Sequence, residues 1–122
     1  MSRRMSCSMT IDAVRDRSKT VTRRHVDTWK TLRPGDRLTL IEKGMGLPKG
    51  AKQVVLAEVE IVSVRAELLD AMESEPYATI HEGLPDMSVN EFFEFWSKSH
   101  GYSKASPSSV PCRRIEWRYL DA

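Results

Sequence analysis

The segment Val54 to Val64 constrains the fold more than any other part of the chain. Val55, Ala57, Val59 and Ile61 recur with a period of two, and Glu58 and Glu60 fall between them. That spacing puts the apolar side chains on one face of a β-strand and the carboxylates on the other. A strand buried on one face needs both neighbouring strands and a covering layer. Glu58 and Glu60 form a possible acid pair, although carboxylates at i and i+2 on the polar face of a strand are also the ordinary solvated case.

The neighbours are legible. Leu32-Arg33-Pro34-Gly35-Asp36 carries a Pro-Gly turn and launches a strand over Arg37 to Ile41. The closing run, Arg113 to Leu120, alternates again, with Ile115, Trp117 and Tyr119 on one face. Lys19 to Arg24 is a further strand, and Met5, Cys7 and Met9 alternate enough for a short one. Between these lie helical signals. Thr10 is placed to cap a short helix over Ile11 to Arg15, and Ala66 to Met72 and Pro76 to Gly83 predict two more, the latter stopped by Gly83. Ser88 and Glu91 have capping-box spacing ahead of Val89, Phe92, Phe93 and Trp96, an apolar stripe at i, i+3, i+4, i+7. That stripe, and the isolated Trp29, are expected to serve the core. The whole is an α+β fold: about five strands curled into a small sheet or barrel, with helices inserted between the long strand and the last one. At 122 residues it is a single domain spanning 1–122.

Lys19-Thr20-Val21-Thr22-Arg23-Arg24 packs three cations and two hydroxyls around one apolar residue. Such side chains suit a phosphate, a carboxylate or the polar edge of a base. A solvated edge strand whose charges discourage edge-to-edge pairing would show the same composition. Charge is also divided along the chain. Residues 1–37 carry a formal +6 and residues 58–94 a formal −9, within a net +2. Lys43, Lys49 and Lys52 extend the basic portion into a glycine-containing loop that matches no phosphate-cradling motif. One basic face and one acidic face would attract a polyanion and orient it.

No apolar run approaches the roughly 18 residues of a membrane span, and Met1 to Ser8 has no apolar core of a secretory signal. A cytoplasmic chain is the expectation. Cys7 and Cys112 lack ligand spacing and are expected as reduced thiols. A disulfide would need the two ends of the chain to meet. Neither a metal nor a cofactor is expected.

The order Lys-Thr-Val-Thr-Arg-Arg, Trp29, Leu-Arg-Pro-Gly-Asp and a long alternating strand resembles an ASCH domain. So do Glu82-Gly83-Leu84, Phe92-Phe93-Glu94-Phe95-Trp96 and the closing Arg-Ile-Glu-Trp-Arg-Tyr-Leu. The resemblance covers roughly residues 5 to 120. It implies a PUA-like β-barrel with a ligand cleft and a role with RNA or a modified nucleoside. In one branch of the family it implies an amidohydrolase that deacetylates acetylcytidine, with a catalytic Lys on Lys19, Thr on Thr22 and Glu on Glu82. Other members are ribonucleases. The leading expectation is an RNA- or nucleotide-binding module contacting its ligand through Lys19, Thr20, Arg23, Arg24, Lys43, Lys49 and Lys52. The hydrolase stands second, and an adaptor whose acidic region meets a basic partner stands third. One geometric demand accompanies the hydrolase reading. On a regular strand Lys19 and Thr22 point to opposite faces, so a bulge or the strand end must re-aim one of them.

Overall fold

The computed structural model describes residues 3–44 and 46–121. Five strands, β1 (Arg3–Ser6), β2 (Val21–His25), β3 (Arg37–Ile41), β4 (Val55–Leu68) and β5 (Pro111–Tyr119), form one sheet in the order β1-β3-β4-β5-β2. β1 runs parallel to β3, and the remaining pairs are antiparallel. The sheet curls into a half-barrel whose free edges are β1 and β2. Arg24 reaches across that seam, donating from Nη2 to the Ser6 carbonyl at 2.7 Å. The helices α2 (Ala78–His81) and α3 (Val89–Ser99), with two 3₁₀ turns, lie between β4 and β5, and α1 (Ile11–Arg15) connects β1 to β2. No helix among the described residues is long and apolar enough to cross a membrane.

The concave face buries Met5, Leu38, Leu40, Val59, Ile61, Ile115, Trp117 and Tyr119, capped by Val14 and Leu32. A second apolar cluster joins Leu69, Met72, Ala78, Phe92, Phe93, Trp96, Val110 and Cys112 under the helices. Trp29 packs against the first cluster and carries the Arg3 guanidinium on its ring at 4.6 Å. Ser88 and Glu91 form the expected reciprocal capping box. Glu58 and Glu60 are spent on sheet neighbours: Glu58 accepts from Thr39 Oγ1, and Glu60 pairs with Arg118. Cys7 and Cys112 are free thiols, both buried.

Four local expectations are corrected. Val55 is exposed rather than inward, because the β3–β4 register shifts at Leu40/Ile41 and turns Leu56 toward the core instead. A second shift, between Ile61 and Ser63, pushes Val62 out and restarts the alternation. Ala66 to Met72 is not a helix. Cross-strand pairing with residues 111–113 carries β4 on to Leu68, and a 3₁₀ turn over Leu69–Ser74 follows. The helix expected over Pro76 to Gly83 shortens to one turn, preceded by Tyr77 in a left-handed conformation. Thr10 stands at the N-cap of α1 without a side-chain cap bond.

Gly83 does stop α2, at φ +88°, and its missing side chain matters. A Cβ there would lie 3.0 Å from Ala13 Cβ and 3.1 Å from Thr10. This close approach seats the end of α2 against α1, where the Thr20 amide donates to the His81 carbonyl and the Lys19 amide to the Ala13 carbonyl. Gly83→Ala combines a left-handed backbone penalty with overpacking and is expected to cost roughly 2–4 kcal/mol. An unchanged urea midpoint would refute this account of the corner.

Candidate functional site

Lys19 lies two residues ahead of β2, so it is free of the strand's alternation. Its backbone is fixed from three sides. Its amide is held by α1, and its carbonyl accepts from Trp117 Nε1 at 3.1 Å and from the Tyr119 hydroxyl. Thr22 sits inside β2 opposite Ile115. Both side chains line one cavity of about 240 Å³, together with Glu82, Arg23 and Arg24. The strand end re-aims Lys19, which meets the geometric demand set by the sequence. The wall also includes Cys7 after β1 and Leu84, Phe92, Phe95, Trp96 and His100.

The ammonium is almost entirely buried. Nζ donates to the Val21 carbonyl at 2.9 Å and the Glu82 carbonyl at 2.5 Å, and Glu82 Oε1 lies 4.0 Å away. Burial lowers the Lys19 pKa below its ordinary range, the Glu82 charge opposes that shift, and Arg24 and Arg23 add to it. A neutral amine has two N–H bonds and one lone pair. The two carbonyls take both N–H bonds, which leaves the lone pair for a proton.

Arg23 alternates with Thr22 along β2 and reaches Glu82 from the opposite face of the strand, its side chain with no exposed surface. Nη1 donates to Glu82 Oε2 at 2.7 Å, and Nη2 donates to Glu75 at 2.9 Å and Glu67 at 3.4 Å. Arg114 completes this network through Glu75 at 2.7 Å. Burial works against the Arg23 charge, but the three carboxylates outweigh it and raise its pKa. Glu75 is held below the usual carboxylate range. Burial alone would raise it, and the Arg114 hydrogen bond and Arg23 charge more than reverse that. The carboxylates thus occupy the cation that the sequence offered to a phosphate, and Arg23 in turn holds Glu82 at the cavity wall.

Thr22 Oγ1 accepts from Arg24 Nε at 3.2 Å. Burial pushes the Cys7 thiol up despite the nearby Lys19 and Arg24 charges, so it stays protonated and is a poor nucleophile beside Thr22. His100 stacks on Trp96 with ring centres 3.8 Å apart, and burial lowers its pKa, so the rim carries a neutral ring. Trp96 in turn donates from Nε1 to the Arg23 carbonyl at 2.9 Å, tying α3 to β2.

The other site candidates lie elsewhere. Thr20 is tied by its backbone to His81 and Trp117, and its side chain is not part of the cavity wall. Lys43, Lys49 and Lys52 are exposed on the β3–β4 loop and do not line it either. Sequence reasoning missed Glu67 and Glu75 as partners of Arg23, and Arg114 as the second partner of Glu75, because nothing local links residues this far apart in the chain. It also assigned α3 to the core alone. Phe92 and Trp96 are buried as expected, yet they and the half-exposed Phe95 present edges to the cavity.

No protein-family model matches the chain, and no curated protein matches it significantly. Solved structures do share its fold. Hypothetical protein PH0355 is 18% identical, with a TM-score of 0.62 over 98% of this chain and all of its own. Protein EF3133 from Enterococcus faecalis V583, of DUF984, is 13% identical with a TM-score of 0.63 over 98% of this chain and 80% of its own. The solution structure of protein PF0455 from Pyrococcus furiosus is 17% identical with a TM-score of 0.57 over the full length of both chains. At these identities the likeness establishes a common small α+β half-barrel and nothing about chemistry.

Proposed function

We propose that the chain is a small amidohydrolase that removes an acyl group from an amine, with an acetylated nucleoside such as acetylcytidine as its substrate. The observation that carries this reading is the buried Lys19 amine, its N–H bonds taken by two carbonyls, beside Thr22 and Glu82 in one cavity. A threonine hydroxyl is a weak nucleophile at its own pKa and needs an adjacent base. A lysine whose pKa is lowered by burial supplies one. Thr22 Oγ attacks the acyl carbonyl while Lys19 takes its proton. The C–N bond then breaks as the ammonium returns that proton to the departing amine, and water releases the acid from Thr22. Glu82 Oε1, 4.0 Å from Nζ, is placed to steady the ammonium between these steps. The resemblance to ASCH amidohydrolases assigns the same three residues.

Size supports a small substrate. The cavity, about 240 Å³, lies just below the roughly 300–1,000 Å³ of common ligand sites. It suits an acyl group and one ring rather than a folded nucleic acid. The test is release of cytidine from acetylcytidine by the purified protein, with Thr22→Ala as control. Turnover that disappears in the variant supports the reading. Equal background in both proteins would sink it.

A binding role without catalysis is the second reading, favoured by the half-buried Arg24 at the cavity and the exposed lysines of the β3–β4 loop. An RNA or nucleotide held through phosphates would lose affinity steeply as salt rises. Binding of a short RNA that is insensitive to salt and to charge removal at Lys43, Lys49 and Lys52 would count against it.

A further inference from the structure

Building on the hydrolase reading, we infer that Arg24 is a catalytic residue: its guanidinium holds Thr22 Oγ1 before attack and then binds the oxyanion that forms on the acyl carbonyl.

The two adjacent arginines of β2 have opposite fates. Arg23 is buried among three carboxylates. Arg24 lies on the Thr22 side of the strand and is half-buried at the cavity wall, and among the described residues no carboxylate pairs with it. Its fork is nevertheless fixed. Nη2 donates to the Ser6 carbonyl at 2.7 Å across the seam, and Nε donates to Thr22 Oγ1 at 3.2 Å. Nη1 donates to no protein acceptor among the described residues. A cation that lacks a counter-ion, is anchored at one end and touches the nucleophile is arranged for a negative charge that arrives later.

The step that creates this charge is the addition. Thr22 Oγ bonds to the carbonyl carbon, its proton passes to Lys19, and the π pair of the C=O bond moves onto the carbonyl oxygen. The oxyanion and Oγ then share one carbon, so a donor already on Oγ reaches the oxyanion by a small shift. That donor is charged and pre-positioned, and the Ser6 anchor limits its reorganisation. Collapse of the adduct returns the pair to the C=O bond as the C–N bond breaks.

Methylboronic acid tests the assignment without requiring turnover. Its boron accepts a lone pair of Thr22 Oγ as the Oγ proton passes to Lys19, and becomes a tetrahedral anion whose hydroxyl oxygen occupies the oxyanion position. Boron-11 NMR should show a tetrahedral signal with the wild-type protein, and Arg24→Gln should weaken binding by roughly 10²–10³-fold. On acetylcytidine the same variant should lose a similar factor in kcat with KM held. Since Arg24 also closes the β1–β2 seam, Arg24→Ala is assayed with added guanidinium ion, which should restore part of the lost boronate affinity. Equal affinity of wild type and Arg24→Gln for the boronate overturns the inference. So does a wild-type protein that gives no tetrahedral boron, or loss of affinity that guanidinium does not restore. An Arg24-dependent boronate complex in a protein that leaves acetylcytidine intact would reject the proposed substrate and keep the role of Arg24.

Discussion

Lys19→Met is expected to lower kcat on acetylcytidine by roughly 10²–10⁴-fold, the usual contribution of a positioned general base. Methionine fills the buried channel but has no basic nitrogen. The pH dependence is the sharper readout. Only the free amine accepts the Thr22 proton, so wild-type activity should rise with pH across the lowered Lys19 ionisation. The residual activity of the variant should lack that limb. Stability follows from the same shift. The folded-state pKa lies below the unfolded value of 10.5, mainly through burial. Between the two values the unfolded chain binds more protons than the folded one, so stability rises with pH across that window. At lower pH both states carry the proton, and the full cost of burying the charge is present. Lys19→Met should flatten the rise. Urea titrations from neutral pH to pH 10 measure it, and a variant with the wild-type rate and wild-type pH limb would remove Lys19 from the mechanism.

Arg23→Met should be the most damaging single change to stability. It leaves Glu82, 4% exposed, without its closest guanidinium and Glu75, 15% exposed, with Arg114 alone. Breaking a buried ion pair from one side costs about 3–5 kcal/mol. For a domain of this size that corresponds to a fall of roughly 10–20 °C in Tm. Acidification gives the sign check. In the wild type Glu75 has a lowered pKa, so its stabilisation is present above the unfolded value of 4.5 and is lost as pH falls through the folded one. Without Arg23, Glu75 loses part of the stabilisation that lowers its pKa and protonates more readily, which relieves the penalty. The deficit of Arg23→Met should therefore shrink between pH 7 and pH 5. A deficit under 1 kcal/mol at pH 7, or one that grows on acidification, would show that the network does not hold the site.

Three carboxylates on one guanidinium also bear on function. Arg23 Nη1 holds Glu82 Oε2, so the other oxygen, Oε1, faces the Lys19 amine at 4.0 Å. Losing Arg23 should thus lower activity as well as stability.

The elements written most clearly in the chain are those whose cause is local. The period of two over Arg37 to Ile41 needs only adjacent residues, and β3 has those bounds. The Ser88–Glu91 box acts within one turn and the apolar stripe after it within two, which specifies α3 locally, and Gly83 ends α2 because it tolerates a left-handed backbone. The Lys-Thr-x-Thr stretch stood out in the sequence by its composition, and Lys19 and Thr22 do line one cavity.

What only the tertiary structure decided is which of those cations remain available. Alternation along β2 separates Arg23 from Arg24, but nothing local says that Glu67, Glu75 and Glu82 will close on the first and that the second will find no carboxylate among the described residues. Nor does local pattern foresee the register shifts at Leu40/Ile41 and Ile61/Ser63, which follow from fitting a curled strand between two neighbours at once. The physical reason is the same in each case. Periodicity and capping act between residues a few positions apart. Burial of an ion, and the shift of its pKa with it, depends on partners brought together from across the chain by packing.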